Sequence, residues 1–166
     1  YMYGMLSAGG QIWYIFFHNL AFLGDVIRLK DDIELVKPTV FASVPRIYNR
    51  FYDAIKGKLD QSTGLQKILV DKAMETKLNN VTTDGNCTHS LYDALVFSKT
   101  KEAMGGHLRL MTSGSAPILP HIHNFIRVVM ACPLIEGFGQ TETTGVTFAT
   151  DARDPTTGHV GGPTVN

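Results

Sequence analysis

What most restricts the fold of this chain is a repeated change of period. Apolar runs of strand length break at turn-forming residues and give way to helical patterns. "TVFASV" (Thr39–Val44) is a short β-branched and aromatic run, and Pro45 then sits where a first helical turn tolerates it. In the following "RIYNRFYDAIKGKL", Ile47, Phe51, Ala54 and Ile55 recur at helical spacing, with Tyr48 and Tyr52 on a neighbouring face. A second helix is predicted over Leu65 to Leu78, with Ile68, Leu69, Lys72, Ala73 and Glu75 dividing into two faces. "NNVTTDGNCTHS" reads as a polar loop, and a third helix runs from about Ser90 to Met104, stopped by Gly105-Gly106. "HLRLMTSG" reads as a strand entering a turn, Pro117 to Met130 as a helix, and "PLIEGFG" as another strand. Strands alternating with helices predict an α/β fold, helices packed on a largely parallel sheet.

At 166 residues the chain is long enough for one domain with a sizeable core. Fifteen basic and fifteen acidic residues cancel, so the charge balance gives no footing for nucleic acid or an anionic surface. Cys87 and Cys132 form neither a CxxC pair nor a His/Cys cluster, which reads as reduced thiols rather than a zinc site or a disulfide framework. In such a chain the "NCT" triplet at Asn86 is a chance match to a glycosylation site. The run between Gly10 and Gly24 is very apolar, but its thirteen residues include His18 and Asn19 and fall short of the roughly 20 a membrane span needs. It reads as a buried element, with peripheral membrane contact as the alternative. After Gly24, the second half of "DVIRLKDDIELVKP" predicts a short helix with Asp31 as N-cap and Pro38 as its stop. The chain opens on Tyr1 and closes on turn-rich "GHVGGPTVN", and reads as an internal piece of a longer protein.

In open α/β sheets, ligands collect at the carboxyl ends of strands. Two predicted strands end there in small polar residues, in "LRLMTSGSAP" and "PLIEGFGQTETTG". Ser113, Gly114, Ser115 and Ala116 carry little side chain and let backbone approach a flat ligand. Phe138, between two glycines, offers an aromatic face. Thr141 and Glu142 supply a hydroxyl and a carboxylate, hard oxygen donors suited to Mg²⁺ held together with substrate phosphates. Taken singly, each has a plainer reading: a helix cap, a core phenylalanine, a solvated turn.

Together, "SGSAPILP", then "EGFGQTETTG", then "GHVGGP" resembles the adenylate-forming synthetases, whose core pattern is an aromatic, Gly, any residue, Thr, Glu. "KPTVFASVPRIYNRFYDAI" narrows the resemblance to the long-chain fatty acid–CoA ligases of that superfamily. The resemblance implies that the chain is the central part of the large N-terminal adenylation domain. The phosphate loop, hinge, catalytic Lys and C-terminal domain would then lie outside it. ATP, Mg²⁺, coenzyme A and a long-chain fatty acid are the implied ligands. Ser115 and Ala116 would line the adenine and ribose side, and Glu136, Gly137, Phe138 and Gly139 would form the adenine wall. Thr141 would contact the α-phosphate, Glu142 would hold Mg²⁺ with Thr141, and Gly145 would lie near the acyl tunnel. The implied setting is the cytoplasm or the cytoplasmic face of the endoplasmic reticulum or another membrane. The thirteen residues between Gly10 and Gly24 exceed the family's usual spacing and read as an insertion. Two alternatives stand beside this reading: a ligase for another carboxylic acid, and a non-catalytic nucleotide-binding or scaffold protein of the same fold.

Overall fold

The computed structural model describes residues 33, 34 and 36–164, so the Gly10–Gly24 run and Asp31 lie outside the described residues. Five strands occur in chain order across one sheet: β1 (Val40–Ser43), β2 (Leu110–Ser113), β3 (Leu134–Gln140), β4 (Gly145–Ala149) and β5 (Gly162–Pro163). β1, β2 and β3 run parallel, with Phe41 beside Met111 and Met111 beside Leu134. These three apolar side chains form a row across the sheet, and all are buried in the core. β4 then returns antiparallel to β3, and β5 antiparallel to β4. The sheet is therefore mixed. The parallel half agrees with the sequence reading, whereas β4 and β5 were hidden in residues that read only as turns.

α1 (Pro45–Asp60) starts at Pro45, whose missing N–H would have no acceptor in the first helical turn. Its inward face is Tyr48 with Ile47, Phe51, Tyr52 and Ile55, while Ala54 is exposed. Tyr48 is wholly buried, and its hydroxyl lies 2.9 Å from the Thr112 carbonyl oxygen, which ties α1 to β2. α2 (Gly64–Asp84) is longer than the predicted Leu65–Leu78. Its inward face, Val70, Ala73, Lys77 and Val81, continues through the "NNVTTD" that reads as loop. Gly85 closes it in a left-handed cap, its N–H donating to Val81 O at 3.2 Å.

The predicted third helix divides into α3 (Ser90–Leu95) and α4 (Ser98–Glu102). The break lets Phe97 point into the core, where it is fully buried under the Lys77 ammonium, 4.9 Å from the ring centre. α4 ends at Glu102 with Ala103 as its cap, short of the expected Met104, and Gly105 and Gly106 follow in left-handed backbone. α5 (Pro120–Met130) is the central helix, buried from Ile122 to Met130 apart from Asn124. Tyr52 of α1 meets Phe125 edge-on at 4.8 Å, and Lys77 of α2 donates to Val128 O at 2.6 Å. α5 thus joins the helical layer to the β2–β3 crossover.

Candidate functional site

Ser113 is the register partner of Glu136, so the turns leaving β2 and β3 emerge side by side. Contact there is close: a Cβ on Gly114 would stand 3.4 Å from Gly137 O. Ser115 holds φ +71°, a left-handed conformation that costs a non-glycine residue on the order of 1 kcal/mol or more. Ser115 and Ala116 are exposed. Ser113 Oγ is buried at the end of β2 without a hydrogen-bond partner.

β3 changes character along its length. Leu134 and Glu136 face the core, and from Phe138 onward the strand is exposed. A register shift between Phe138 and Gly139 bends it away from regular pairing with β4. Gly139 is required there, because a Cβ would run into the Gly145 carbonyl. Phe138 is 47% exposed, its ring 6.4 Å from Phe148 and tilted by 53°. A large, half-exposed aromatic on a strand end is costly to leave wet and suited to stacking.

The turn Thr141–Thr143 is a single 3₁₀ turn that links β3 to β4. The Thr143 hydroxyl accepts the Gln140 N–H at 3.1 Å and lies 2.9 Å from Gly145 O, which fixes the turn from within. Thr144 then takes φ +60°. Thr141 and Glu142 are exposed on this turn, so their oxygens face outward. Gly145 pairs with Gln140 at the start of β4.

Glu136 is placed differently from its neighbours. The residue is 4% exposed, and its Oε1 accepts the Ile118 N–H at 3.2 Å. Its own N–H donates to Thr150 Oγ1 at 2.9 Å, and Thr150 N–H returns to Glu136 O at 3.0 Å. Burial raises its pKa above the ordinary carboxylate value, offset in part by the Ile118 N–H. Glu136 is therefore buried, with its side chain, N–H and carbonyl all engaged within the chain, whereas Phe138, Gly139 and Gln140 after it are exposed. Thr143 and Ile118 escaped the sequence reading, since a backbone donor leaves no residue-type signal and Thr143 looked like one hydroxyl among several.

Ser115, Ala116, Gly137, Phe138, Gly139, Thr141, Glu142 and Gly145 thus lie on adjoining turns and strand ends around the carboxyl edge of β2 and β3. No cluster of three His, Cys, Asp or Glu able to hold a metal exists among the described residues. A separate cavity of about 430 Å³ lies by the amino end of β3, lined by Asp84, Gly85, Cys87, Pro133 and Arg153 among others.

The profile of the AMP-binding enzyme family matches residues 1–166. The chain belongs to the AMP-binding enzyme family. Long chain acyl-CoA synthetase 7, peroxisomal, of Arabidopsis thaliana is 41% identical over 140 residues, covering 84% of this chain and 20% of that protein. Long-chain-fatty-acid–CoA ligase 5 of Mus musculus is 42% identical over 159 residues, covering 96% of this chain and 22% of that protein. The chain spans about a fifth of the length of these relatives. Among solved structures, the adenylation domain of a Mycobacterium chelonae carboxylate reductase superposes with a TM-score of 0.57 at 23% identity, over 88% of this chain and 19% of that one. The A domain of a carboxylic acid reductase from Segniliparus rugosus, solved with AMP and a co-purified carboxylic acid, gives 0.55 at 25% identity over the same shares. This member of the AMP-binding enzyme family thus has the adenylation-domain fold, and the strand end and turns around Phe138 are rich in small and hydroxyl residues.

Proposed function

We propose that this chain forms the adenine-facing and α-phosphate-facing part of the active site of an ATP-dependent long-chain fatty acid–CoA ligase. The observation that carries the reading is the Ser113–Glu136 register, which sets "SGSAP" beside "EGFGQTE" at the carboxyl edge of a parallel sheet. Phe138 stacks on the adenine while the turns at Gly114 and Gly137 admit the flat base. Thr141 donates to the α-phosphate, and Gly145 borders the acyl chain.

In the reaction, a carboxylate oxygen of the fatty acid attacks the α-phosphorus of ATP. The new P–O bond forms as the bond to pyrophosphate breaks. The coenzyme A thiolate, its proton lost to solvent, then attacks the acyl carbon, and AMP leaves with the electron pair. Charge develops on phosphate oxygens in the first step, and donors fixed on the 141–143 turn stabilise it where it appears. Glu142 and Thr141 fit Mg²⁺ in one specific sense. Mg²⁺ is usually bound by one or two carboxylates plus substrate phosphates rather than by an all-protein cage, and one exposed carboxylate with a neighbouring hydroxyl is what the turn offers. An ion held there by Glu142 and Thr141 would neutralise phosphate charge.

The long acyl chain gains about 0.8 kcal/mol per CH₂ buried in lipid, so its substrate and product collect in bilayers. This supports a membrane surface, such as the cytoplasmic face of the endoplasmic reticulum or another membrane, over the cytoplasm as the setting of the full-length enzyme, which fractionation of cells expressing it would check. The chemistry is tested by ATP–pyrophosphate exchange. In the full-length enzyme, Phe138→Ala is expected to raise the KM for ATP at least tenfold while the KM for a palmitate-like acid stays within twofold, and Phe138→Tyr is expected to be tolerated. Equal weakening for both substrates would place Phe138 in the core rather than on the base. No exchange with any long-chain acid would overturn the reading.

A further inference from the structure

Two halves of the proposed nucleotide surface come from different strands, and something must hold them at a constant separation. Backbone ladders do so only as far as Ser113 and Glu136, where β2 and β3 stop pairing. Beyond that point Ser115 is strained, Gly114 approaches Gly137, and "SAP" is exposed. A single buried side chain spans the gap, from Glu136 on β3 to the Ile118 N–H beyond the "SAP" turn.

We propose that Glu136 is a positioning residue, a strut whose carboxylate oxygen sets the height of the Ser115–Pro117 turn against the Phe138 strand and so sets affinity for the adenosine part of ATP. The inference rests on the adenylation reading above, and it moves Glu136 from the wall of the pocket to its foundation. Three contacts converge on this residue. Its side chain holds Ile118 at 3.2 Å, its N–H holds Thr150 Oγ1 at 2.9 Å, and its carbonyl receives Thr150 N–H at 3.0 Å. Thr150 lies just after β4, so one residue fixes β3 to the strands and turns on both sides. Ile118, itself buried, cannot turn its N–H to water when the acceptor is removed. An acceptor oxygen, rather than a charge, is what the geometry needs. Glutamine at this position supplies one, and leucine supplies the volume without it.

The test uses the full-length enzyme, with KM for ATP, KM for fatty acid and kcat measured in parallel, and amide exchange of the peptide spanning residues 114–119. Glu136→Gln is expected to keep KM for ATP within threefold and to keep the Ile118 region protected. Glu136→Leu is expected to raise KM for ATP tenfold or more, to change KM for fatty acid less than twofold, and to speed exchange in that peptide. If Glu136→Leu does not fold, Glu136→Gln decides alone: a rise in KM for ATP of tenfold or more would show that the charge matters and overturn the strut. Unchanged KM for ATP and unchanged exchange in a folded Glu136→Leu would overturn it as well. The wild-type enzyme guards the distinction, because absence of pyrophosphate exchange there overturns the adenylation reading instead.

Discussion

Glu142 and His123 sit at opposite extremes of solvation, and each carries an expectation that follows from that. Glu142 is exposed on the turn after β3, where a charge meets ligand at little cost in desolvation. Glu142→Gln in the full-length enzyme is expected to reduce adenylate formation by about 10²–10³, the usual effect of losing one group that stabilises developing charge. Pyrophosphate exchange within a few-fold of wild type at saturating Mg²⁺ would overturn the proposed role of Glu142 in holding the metal. His123 is buried in α5 with Nδ1 unpartnered, and burial, with the nearby Arg127 charge, lowers its pKa from 6.5 to about 4. The unfolded chain therefore takes up this proton first as pH falls. The stabilising effect of a neutral His123 is complete above about pH 6.5 and is lost toward pH 4, by up to about 1.4 kcal/mol per unit. Glu136, with its raised pKa, acts in the opposite direction, so the informative measurement is a difference between variants. His123→Gln is expected to be less acid-sensitive than wild type when thermal midpoints at pH 7 and pH 5 are compared. Equal shifts would show that His123 does not govern this window.

The helical elements hang on one buried ion pair. Lys77 of α2 is completely buried, paired with Asp93 of α3, and donates to Val128 O of α5, while burial lowers its pKa. Lys77→Met leaves Asp93 without its counter-charge, and breaking a buried pair on one side typically costs about 3–5 kcal/mol. Adding Asp93→Asn is expected to restore part of that loss, which the thermal midpoints of the single and double variants measure; no recovery would mean that the lysine acts by packing alone. Lys77 also marks where the sequence is hard to read. A lysine at an inward position breaks the apolar period of α2, while Leu65, 85% exposed, and Ile68, 65% exposed, supply a false one. Tertiary partners decided those positions, and local pattern does not register them. Likewise the α3–α4 break coincides with the burial of Phe97, whose ring packs against Lys77 of another helix. By contrast β1, the Pro45 start of α1, α5 and β3 were legible, because proline, turn residues and apolar period agree there. The small and hydroxyl residues that leave β2 and β3 were legible as a motif, and the buried hydrogen bond from the Ile118 N–H to Glu136 was not.

For the molecule as a whole, the separation between chain and enzyme is measurable. The chain spans about a fifth of its relatives, and Leu65, Ile68, Leu91, Leu95 and Leu119 are exposed. The isolated chain is expected to form no acyl-CoA from ATP, coenzyme A and a palmitate-like acid and to self-associate on concentration, as chromatography and thioester assay would show. Synthesis of acyl-CoA by it alone would mean that the chemistry uses other residues. The sheet order has one more consequence, for the time course of assembly. β2 and β3 are joined through residues 114–133, whereas β1 must wait for β2 across residues 44–109. Loop closure costs only about 0.6 kcal/mol more per doubling of length, yet the order of events follows from it. The β2–α5–β3–β4 unit closes first in refolding, and a newly made β1 stands with an unsatisfied edge until that unit arrives. In pulsed amide exchange, residues 111–140 should gain protection before 40–43, so the strand that carries Phe138 would already be in place while β1 of the same sheet is still searching for a neighbour.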